Sequence, residues 1–352
     1  MNNQKGICVV GHFGEGLNLL NGQTVKTKIV TNEIEKAFGT KNVFKVDTHG
    51  GVKAVPRLLY NLWRSLHKSK DVVIFLSDNG LRFIVPVLRW MNALAIGKRR
   101  FHYVVIGGYI QDYLPSYPYV LKTLQSYDGI YVETVPMQKA MEELGFRNVR
   151  VMPNCKELKV AREIKNYQAP PFRFCTFSRV MKSKGIEEAA EAIELVNKRA
   201  GKIICSLDIY GQIEASEKDW FENLVQTTPN TIQYKGLVPF ADSVKVLCDY
   251  YALLFPTYYE GEGFAGTLID AFAAGVPVIA SDWRYNASIV KDGDTGRIFK
   301  TNSMEELVST IEFACNHIAI WNEMKQNCLR EALNYQPDIV VQTLIKALQH
   351  GN

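Results

Sequence analysis

The stretch PTYYEGEGFAGTLIDAFAAGVPVIASDWRYNASIVKDGDTGRI, from Pro256 to Ile298, decides the fold. It follows an apolar run, Ala252–Phe255, that is typical of a buried strand, and its acidic, glycine-rich loop opens directly into a helical pattern. Backbone N–H groups at a helix N-terminus attract anions, and glycines let a phosphate approach closely. A carboxylate in the same loop would repel that phosphate, so Glu262 fits an uncharged, hydroxyl-rich group such as a sugar. A solvated acidic loop before an ordinary helix remains the alternative, and Glu262 is expected on an exposed loop rather than in a core. The eight-residue spacing of Glu262 and Asp270, about two helical turns, predicts that both face one side.

Outward from this stretch, short apolar runs alternate with longer amphipathic ones, which predicts two mostly parallel sheets with helices on both faces. The predicted strands of the first sheet are Gly6–Val10, Val43–Val46, Val72–Leu76, Tyr103–Ile106, Gly129–Val132 and Val149–Met152. Those of the second are Phe172–Phe177, Ile203–Ile209, Thr231–Tyr234, Ala252–Phe255 and Pro277–Ala280. Helical patterns between them include Lys26–Ala37, Val55–Lys68, Val135–Leu144, Lys184–Lys198, Phe240–Asp249 and Gly266–Ala274.

A length of 352 residues favours two domains. The join is placed in the polar, proline-containing stretch from Asn154 to Pro171, so the domains are expected at 1–158 and 170–335. The chain is expected to be helical after about Ser303, and its last segment, 336–352, can lie on either domain. Because open α/β sheets bind ligands at the carboxyl ends of their strands, we expect the two domains to face a central cleft there.

Composition excludes several classes of protein. Seven cysteines without C-x-x-C spacing argue against a disulfide framework or structural zinc and fit a reducing cytosol. The N-terminal apolar run is too short for a secretory signal, and the longest membrane-span candidate, Phe83–Ile96, is broken by Pro86, Arg89 and Asn92. We therefore expect a cytoplasmic protein that does not cross a membrane.

The sequence blocks around Glu262 resemble the signature of the retaining GT-B glycosyltransferases of family 4. These blocks are Glu262-Gly263-Phe264, Asp270 after seven positions, Ala273-Ala274-Gly275-Val276-Pro277-Val278-Ile279-Ala280-Ser281, and Asp292-Gly293-Asp294-Thr295-Gly296. The resemblance covers most of the second half and, more faintly, the first. It implies two Rossmann-like domains, an acceptor-side domain at 1–158 and a nucleotide-sugar-binding domain at 170–335. It also implies a nucleotide diphosphate sugar as donor, with no cofactor.

The resemblance also implies site residues. Phe177-Ser178-Arg179 with Lys184-Gly185 is similar to the family's diphosphate-binding segment, and two cations at this spacing suit one pyrophosphate. The predicted catalytic residues are thus Glu262, Arg179 and Lys184. The predicted substrate-binding residues are Gly22, Gln23, Gly211, Gly263, Phe264, Ala265 and Asp270. Gly22 and Gln23 belong to the segment Asn21-Gly22-Gln23-Thr24, which precedes a helical pattern where the family has a Gly-rich loop near the phosphates. Tight turns and ordinary helix capping are the structural alternatives at Gly211 and Gly22.

The chain departs from the family pattern at three positions. Asp270 replaces the commoner Glu, and Ala265 replaces the second glycine of the loop. Gly107-Gly108-Tyr109 follows a predicted strand where many relatives have His. His12, in the first loop, is a candidate for a nearby position, but a lone His is more often a surface or capping residue.

The predicted function is therefore retaining transfer of a sugar, from a UDP-sugar by family habit, to a lipid-linked or saccharide acceptor in surface polysaccharide biosynthesis. Metal independence is expected because two side-chain cations can replace a divalent ion. The alternatives are a non-catalytic nucleotide-sugar-binding partner subunit, which the missing His allows, or another GT-B enzyme such as an epimerase.

Charge is divided unevenly along the chain. Residues 1–157 contain 21 Lys and Arg against 12 Asp and Glu, whereas the remainder contains 20 against 24. No nucleic-acid recognition motif accompanies this excess. The run Lys98-Arg99-Arg100 and the Trp-containing segment Val55–Lys68 instead predict peripheral contact with an anionic membrane, although the apolar face of that segment equally suits packing on a sheet.

Overall fold

The computed structural model describes residues 6–14, 16, 22–50, 55–94 and 97–350. Contacts divide the chain into two units. Unit 1 contains the residues up to Glu157 and those from Gln336 onward, and unit 2 is Leu158–Tyr335.

Unit 1 is built on a six-stranded parallel sheet with the strand order β2-β1-β3-β4-β5-β6. All six strands predicted for this half are confirmed, although β3 and β4 each begin three residues earlier than predicted. The strands are β1 (Gly6–Gly11), β2 (Val43–Asp47), β3 (Ser69–Phe75), β4 (Arg100–Val104), β5 (Gly129–Val132) and β6 (Val149–Val151).

Helices connect these strands in a doubly wound pattern. They are α1 (Gly22–Phe38), α2 (Val55–Lys68), α3 (Asp78–Leu94), α4 (Ile110–Tyr113), α5 (Pro118–Gln125) and α6 (Val135–Glu143). Lys26 anchors α1 to the sheet, because its buried ammonium donates to the Val105 carbonyl at 3.0 Å and to Glu133 at 2.6 Å. A buried lysine needs such partners to remain charged.

Unit 2 contains a second six-stranded parallel sheet, of order β12-β11-β10-β7-β8-β9. The strands are β7 (Phe172–Phe177), β8 (Cys205–Tyr210), β9 (Ile232–Gly236), β10 (Ala252–Phe255), β11 (Val278–Ser281) and β12 (Gly296–Phe299). The helices are α7 (Ile186–Ala200), α8 (Lys218–Thr227), α9 (Ser243–Leu247), α10 (Gly266–Ala273), α11 (Asn286–Ile289), α12 (Met304–Asn316) and α13 (Ile318–Ala332). Strand β12 was not predicted, because its four residues follow directly on the polar segment that was interpreted as a motif.

The last two helices, α14 (Pro337–Val340) and α15 (Gln342–Gln349), return to unit 1. Their apolar residues Val340, Val341, Leu344, Ile345 and Leu348 are buried in one core cluster with residues of β1, α1 and β3. The first unit therefore completes its core with the far end of the chain.

Across the described ranges, no helix combines the length and the apolar character that crossing a bilayer requires.

Candidate functional site

The carboxyl ends of β7, β8 and β9 are held close together by backbone hydrogen bonds. Ser178 N–H donates to the Tyr210 carbonyl at 3.2 Å, and Gly211 N–H donates to the Gly236 carbonyl at 3.0 Å. Gly211 has φ +139°, and a Cβ there would lie 1.6 Å from the Ser178 carbonyl oxygen. Only glycine fits this position, so Gly211 sets the distance between two strand ends.

A second close approach brings the turn after β7 onto the loop after β10. The turn Lys182–Lys184 is a 3₁₀ helix that ends at Gly185, whose φ is +71°. A Cβ on Gly185 would lie 2.3 Å from the Pro256 carbonyl oxygen. Tyr258 N–H also donates to the Ser183 carbonyl at 2.8 Å. Lys184 is therefore delivered directly to the loop that contains Glu262.

Lys184 and Glu262 form a buried ion pair. The Lys184 Nζ lies 2.5 Å from Glu262 Oε2, and the two residues are 9% and 6% exposed. The Thr257 hydroxyl donates to the same carboxylate oxygen at 2.8 Å, and the Lys184 ammonium lies 4.6 Å from the centre of the Tyr259 ring. Because one oxygen takes both bonds, the other oxygen, Oε1, has no hydrogen bond to a described residue.

Two expectations about this loop are wrong. Glu262 was expected on an exposed loop, but it is buried because its carboxylate neutralises Lys184. Glu262 and Asp270 were expected to share a helix face, but α10 begins only at Gly266, so Glu262 lies in the preceding turn, where its N–H donates to the Tyr259 carbonyl at 3.1 Å. Asp270 is 4% exposed within α10.

The residues between Glu262 and α10 lead into the helix. Gly263 is half-buried, and Phe264 is buried with its ring edge-on to Tyr335, at 5.2 Å between ring centres. Ala265 precedes the helix in an extended conformation. The first backbone N–H groups of α10 have no partner within the helix. These groups can act as an anion site of the kind that the sequence predicted.

Arg179 differs from Lys184 in its exposure. Its side chain is 53% exposed, 3.3 Å from Glu214, and its guanidinium lies 5.7 Å from the centre of the Tyr259 ring. The two predicted cations therefore adjoin the same aromatic ring, one buried and fixed, the other exposed and free to turn toward a ligand.

Two hydroxyl groups around this loop lack partners. The Oγ of Ser183 and the Oγ1 of Thr267 are buried atoms with no hydrogen bond to a described residue. Buried hydroxyls are nearly always hydrogen-bonded, so each of these is a candidate donor to a ligand.

The predicted residues Gly22 and Gln23 belong to unit 1 and form the first residues of α1. A Cβ on Gly22 would meet no atom of the described residues within 4 Å. The Gln23 amide donates to the Phe75 carbonyl at 3.4 Å. Asn21, which was part of the same predicted segment, lies outside the described residues.

A histidine pair lies at the carboxyl ends of β1 and β2, and the sequence interpretation missed it. His12 Nε2 is 3.0 Å from His49 Nδ1, and His12 Nδ1 is 2.7 Å from the Thr24 hydroxyl. Burial, followed by the neighbouring His49, lowers the pKa of His12. The signal was available, since both histidines follow strands that are adjacent and parallel. Tyr109, the last residue of the Gly107-Gly108-Tyr109 segment where many relatives have His, is 40% exposed before α4.

The predicted membrane-binding run is largely structural. Arg99 is buried and donates to the carbonyls of Leu66 and Gly97, and Arg100 donates to the Ala347 and Leu348 carbonyls and pairs with Asp71 at 2.7 Å. Within the described part of the chain, no cluster of three His, Cys, Asp or Glu side chains is arranged to hold a metal ion.

Comparison with known proteins identifies the type of domain. Residues 171–317 match the family model described as "Glycosyl transferases group 1". An uncharacterized glycosyltransferase of Methanocaldococcus jannaschii, MJ1069, is 26% identical over 191 residues, which are 52% of this chain and 46% of that protein. The GtfA subunit of the UDP-N-acetylglucosamine–peptide N-acetylglucosaminyltransferase of Streptococcus pneumoniae is 24% identical over 284 residues, or 77% of this chain and 54% of that protein. The chain thus spans about half the length of these curated relatives.

A solved structure shows the same fold over nearly the whole chain. The crystal structure of Anabaena HepE in complex with UDP superposes with a TM-score of 0.74 at 14% identity, covering 98% of this chain and all of that one. The predicted GT-B fold is confirmed by such neighbours and by the two six-stranded parallel sheets. The chain therefore has the GT-B fold, and residues 171–317 within unit 2 match the group 1 glycosyl transferase model.

Proposed function

We propose that this protein is a retaining glycosyltransferase that moves a sugar from a UDP-sugar to a lipid-linked or saccharide acceptor, in surface polysaccharide biosynthesis. The observation that carries the proposal is the Lys184–Glu262 pair, fixed beside the exposed Arg179 where the strands of unit 2 end. The family's mechanism, with front-face attack by the acceptor and no covalent enzyme intermediate, fits a site without an evident nucleophile.

Each residue has a distinct role in this proposal. Arg179 binds the donor diphosphate with its exposed guanidinium, and Lys184 supplies a fixed positive charge to the leaving group. Glu262 holds Lys184 with Oε2, while Oε1 is left to accept from a sugar hydroxyl. The N-terminus of α10, with Gly263, Phe264 and Ala265 before it, adds backbone donors.

The remaining predicted residues bind the rest of the substrate. Asp270 is proposed to reach the ribose hydroxyls and Gly211 to line the nucleoside pocket. Gly22 and Gln23 of unit 1 are also proposed to bind substrate. No metal is proposed, because Arg179 and Lys184 can supply N–H donors to the leaving diphosphate in its place.

The names of similar proteins support the choice of donor. The Streptococcus pneumoniae relative is named for UDP-N-acetylglucosamine, and the HepE structure contains UDP. The word "subunit" in the relative's name also favours a second candidate, a nucleotide-sugar-binding partner without catalysis, and Tyr109 in place of the family His agrees with it. An epimerase is less well supported, because the matched domain is that of a transferase.

The exposed face of unit 1 supports peripheral membrane contact near the cytoplasmic surface. Leu62 and Leu66 of α2 are buried in the unit, whereas Trp63 is 40% exposed. On α3, Phe83, Trp90 and Leu94 are 69%, 63% and 57% exposed and lie on one face by their spacing, with arginines beside the first two. Exposed aromatic residues beside arginines suit the interface of an anionic membrane.

A donor screen tests the proposed function. Purified protein is incubated with UDP-, GDP- and ADP-sugars without acceptor, and released nucleoside diphosphate is measured. An enzyme should hydrolyse one donor slowly, and the released sugar should first appear with the anomeric configuration of the donor. A binding subunit should bind the donor and release nothing. Binding of none of these donors would refute both candidates. For the membrane contact, Trp90→Ser should weaken sedimentation with anionic vesicles, while Ile320→Ser, an exposed apolar residue of unit 2, should not.

A further inference from the structure

A second basic region of unit 1 lies at the amino ends of its strands. Two cavities of about 680 Å³ and 600 Å³ adjoin there, and both are lined by Arg100, the first residue of β4, and by Asp128, which directly precedes β5. Open α/β sheets bind their usual ligands at the opposite, carboxyl ends. This region is therefore separate from the acceptor side of unit 1 that the proposed function requires.

The cations that line the two cavities define a basic groove. Its members are Arg89, Lys98, Arg99, Arg100, Arg150, Lys346 and His350. One carboxylate, Asp128, lines both cavities, and a second, Asp71, is buried behind Arg100. Six permanent positive charges, from the arginines and lysines of the groove, thus accompany two carboxylates. A concave wall concentrates the resulting field.

Arg100 is held in place by the protein itself. Its Nε lies 2.7 Å from Asp71 Oδ1, and its two terminal nitrogens donate to the carbonyls of Ala347 and Leu348 at the end of α15. A guanidinium at a helix C-terminus is stabilised by the helix dipole. Arg100 therefore forms the fixed floor of the groove.

Arg150 and Lys346 are available to a ligand. Both are exposed, and neither forms an ion pair with a carboxylate of the described residues. Arg150 donates one bond, of 3.2 Å, to the Tyr131 hydroxyl. Asp128 is partly occupied as well, since its Oδ2 accepts from the Phe101 N–H at 2.9 Å. Arg150 belongs to strand β6 and Lys346 to helix α15, so two elements that are far apart in the sequence bring their cations to one cavity.

We infer that the basic groove is a binding site for a phosphate-bearing anion, either a phosphomonoester or a diphosphate. A guanidinium fork and an ammonium that converge on a cavity match the oxygens of such a group. The phosphate comes either from a free phosphorylated compound or from the headgroup of an anionic lipid, and the chemistry of recognition is the same for both.

Titration calorimetry with inorganic pyrophosphate tests the site. All variants are made in the whole chain carrying Arg179→Met, which weakens pyrophosphate binding at the proposed donor site. A failure of the proposed function can then be distinguished from a failure of the basic-groove proposal. Adding Arg150→Met and Lys346→Met should weaken pyrophosphate binding about tenfold and reduce its salt dependence. The matched control adds Lys139→Met and Arg147→Met, which remove the same charge from exposed positions of unit 1 outside both cavities.

Folding is checked by thermal melting, and Lys346→Met alone, which removes no hydrogen bond of the described structure, guards against a loss through misfolding. Binding to vesicles of phosphatidylcholine, with and without phosphatidic acid, then distinguishes a lipid headgroup from a free phosphorylated compound as the source of the phosphate. If the groove variant loses vesicle binding and pyrophosphate competes with it, the source is a lipid headgroup. If only pyrophosphate binding falls, the source is a free phosphate compound. The inference is overturned if the Arg179→Met parent binds no pyrophosphate, or if the groove and control variants bind it equally.

Discussion

The carboxylate of Glu262 neutralises the ammonium of Lys184 in a buried ion pair, with 2.5 Å between Glu262 Oε2 and Lys184 Nζ. Glu262→Ala should abolish transfer, and it should also destabilise unit 2 by about 3 kcal/mol, because a buried lysine loses its counter-charge. Chemical denaturation of the variant measures this change in the free energy of unfolding.

Two companion variants make the test specific. Glu260→Ala, two residues away and exposed, should leave the free energy of unfolding nearly unchanged. The double variant Lys184→Met with Glu262→Leu removes both charges and should recover most of the lost stability, but not activity. If Glu262→Ala were as stable as Glu260→Ala, Lys184 would not depend on this carboxylate.

Arg179→Met should weaken UDP binding by about tenfold or more while changing uridine binding little, since the guanidinium is proposed to contact only the diphosphate. Calorimetry with both ligands gives the two affinities. Arg199→Met is the control, because Arg199 has the same 53% side-chain exposure and also lies 3.3 Å from a glutamate, Glu312. Equal losses for UDP and uridine would place Arg179 away from the phosphates.

Removal of metal should not affect catalysis. Turnover measured after dialysis against EDTA should stay within about twofold of the untreated rate, because fixed side-chain cations are proposed to stabilise the leaving diphosphate. A complete loss that Mg²⁺ or Mn²⁺ restores would refute the metal-independent mechanism.

Gly211→Ala should be much more destabilising than a similar change elsewhere. Its Cβ would collide with the Ser178 carbonyl oxygen, so the ends of β7 and β8 would have to separate. Gly293→Ala is the matched control, because Gly293 also has a positive φ but a Cβ there would meet nothing within 4 Å. Chemical denaturation should show that Gly293→Ala lowers the free energy of unfolding by about 1 kcal/mol. Gly211→Ala should lower it by at least about 2 kcal/mol more.

Lys325 predicts a pH dependence of stability. Burial lowers the pKa of this lysine to about 8, and its Nζ has a long bond of 3.4 Å to the Tyr250 carbonyl. Between pH 8 and the unfolded pKa near 10.5, the unfolded chain binds more protons than the folded one, so this group's destabilising effect is relieved as pH rises.

Lys325→Met should therefore stabilise the protein at pH 7, by about 1.4 kcal/mol for each unit of the shift, less any packing loss. The difference in unfolding free energy between variant and wild type should shrink as the pH rises from 8 to 10. A difference that stayed constant over this range would show that Lys325 titrates normally.

The sequence predicted eleven of the twelve strands because apolar runs of four to six residues bounded by polar turns mark parallel strands well. It also predicted that Arg179, Lys184 and Glu262 belong together, and the structure brings Lys184 and Glu262 into contact. Contact between the Arg179 and Glu262 side chains is not seen; both instead adjoin the Tyr259 loop.

Burial was the property that the sequence could not supply. A carboxylate in a glycine-rich loop looks solvated until the position of its counter-ion is known, and that counter-ion lies 78 residues earlier in the chain. Likewise, Arg99 and Arg100 look like a surface charge run, although their partners are backbone carbonyls, which no residue pattern reveals.

The return of α15 to unit 1 has a consequence for the order of synthesis. Leu344, Ile345 and Leu348 leave the ribosome after all of unit 2, yet they fill the same core as Ile7 and Val9 near the other end of the chain. A nascent chain released up to Tyr335 would expose the apolar surface that these helices cover. We therefore expect unit 2 to become protease-resistant during translation before unit 1 does, which reverses the usual N-terminal-first order of folding.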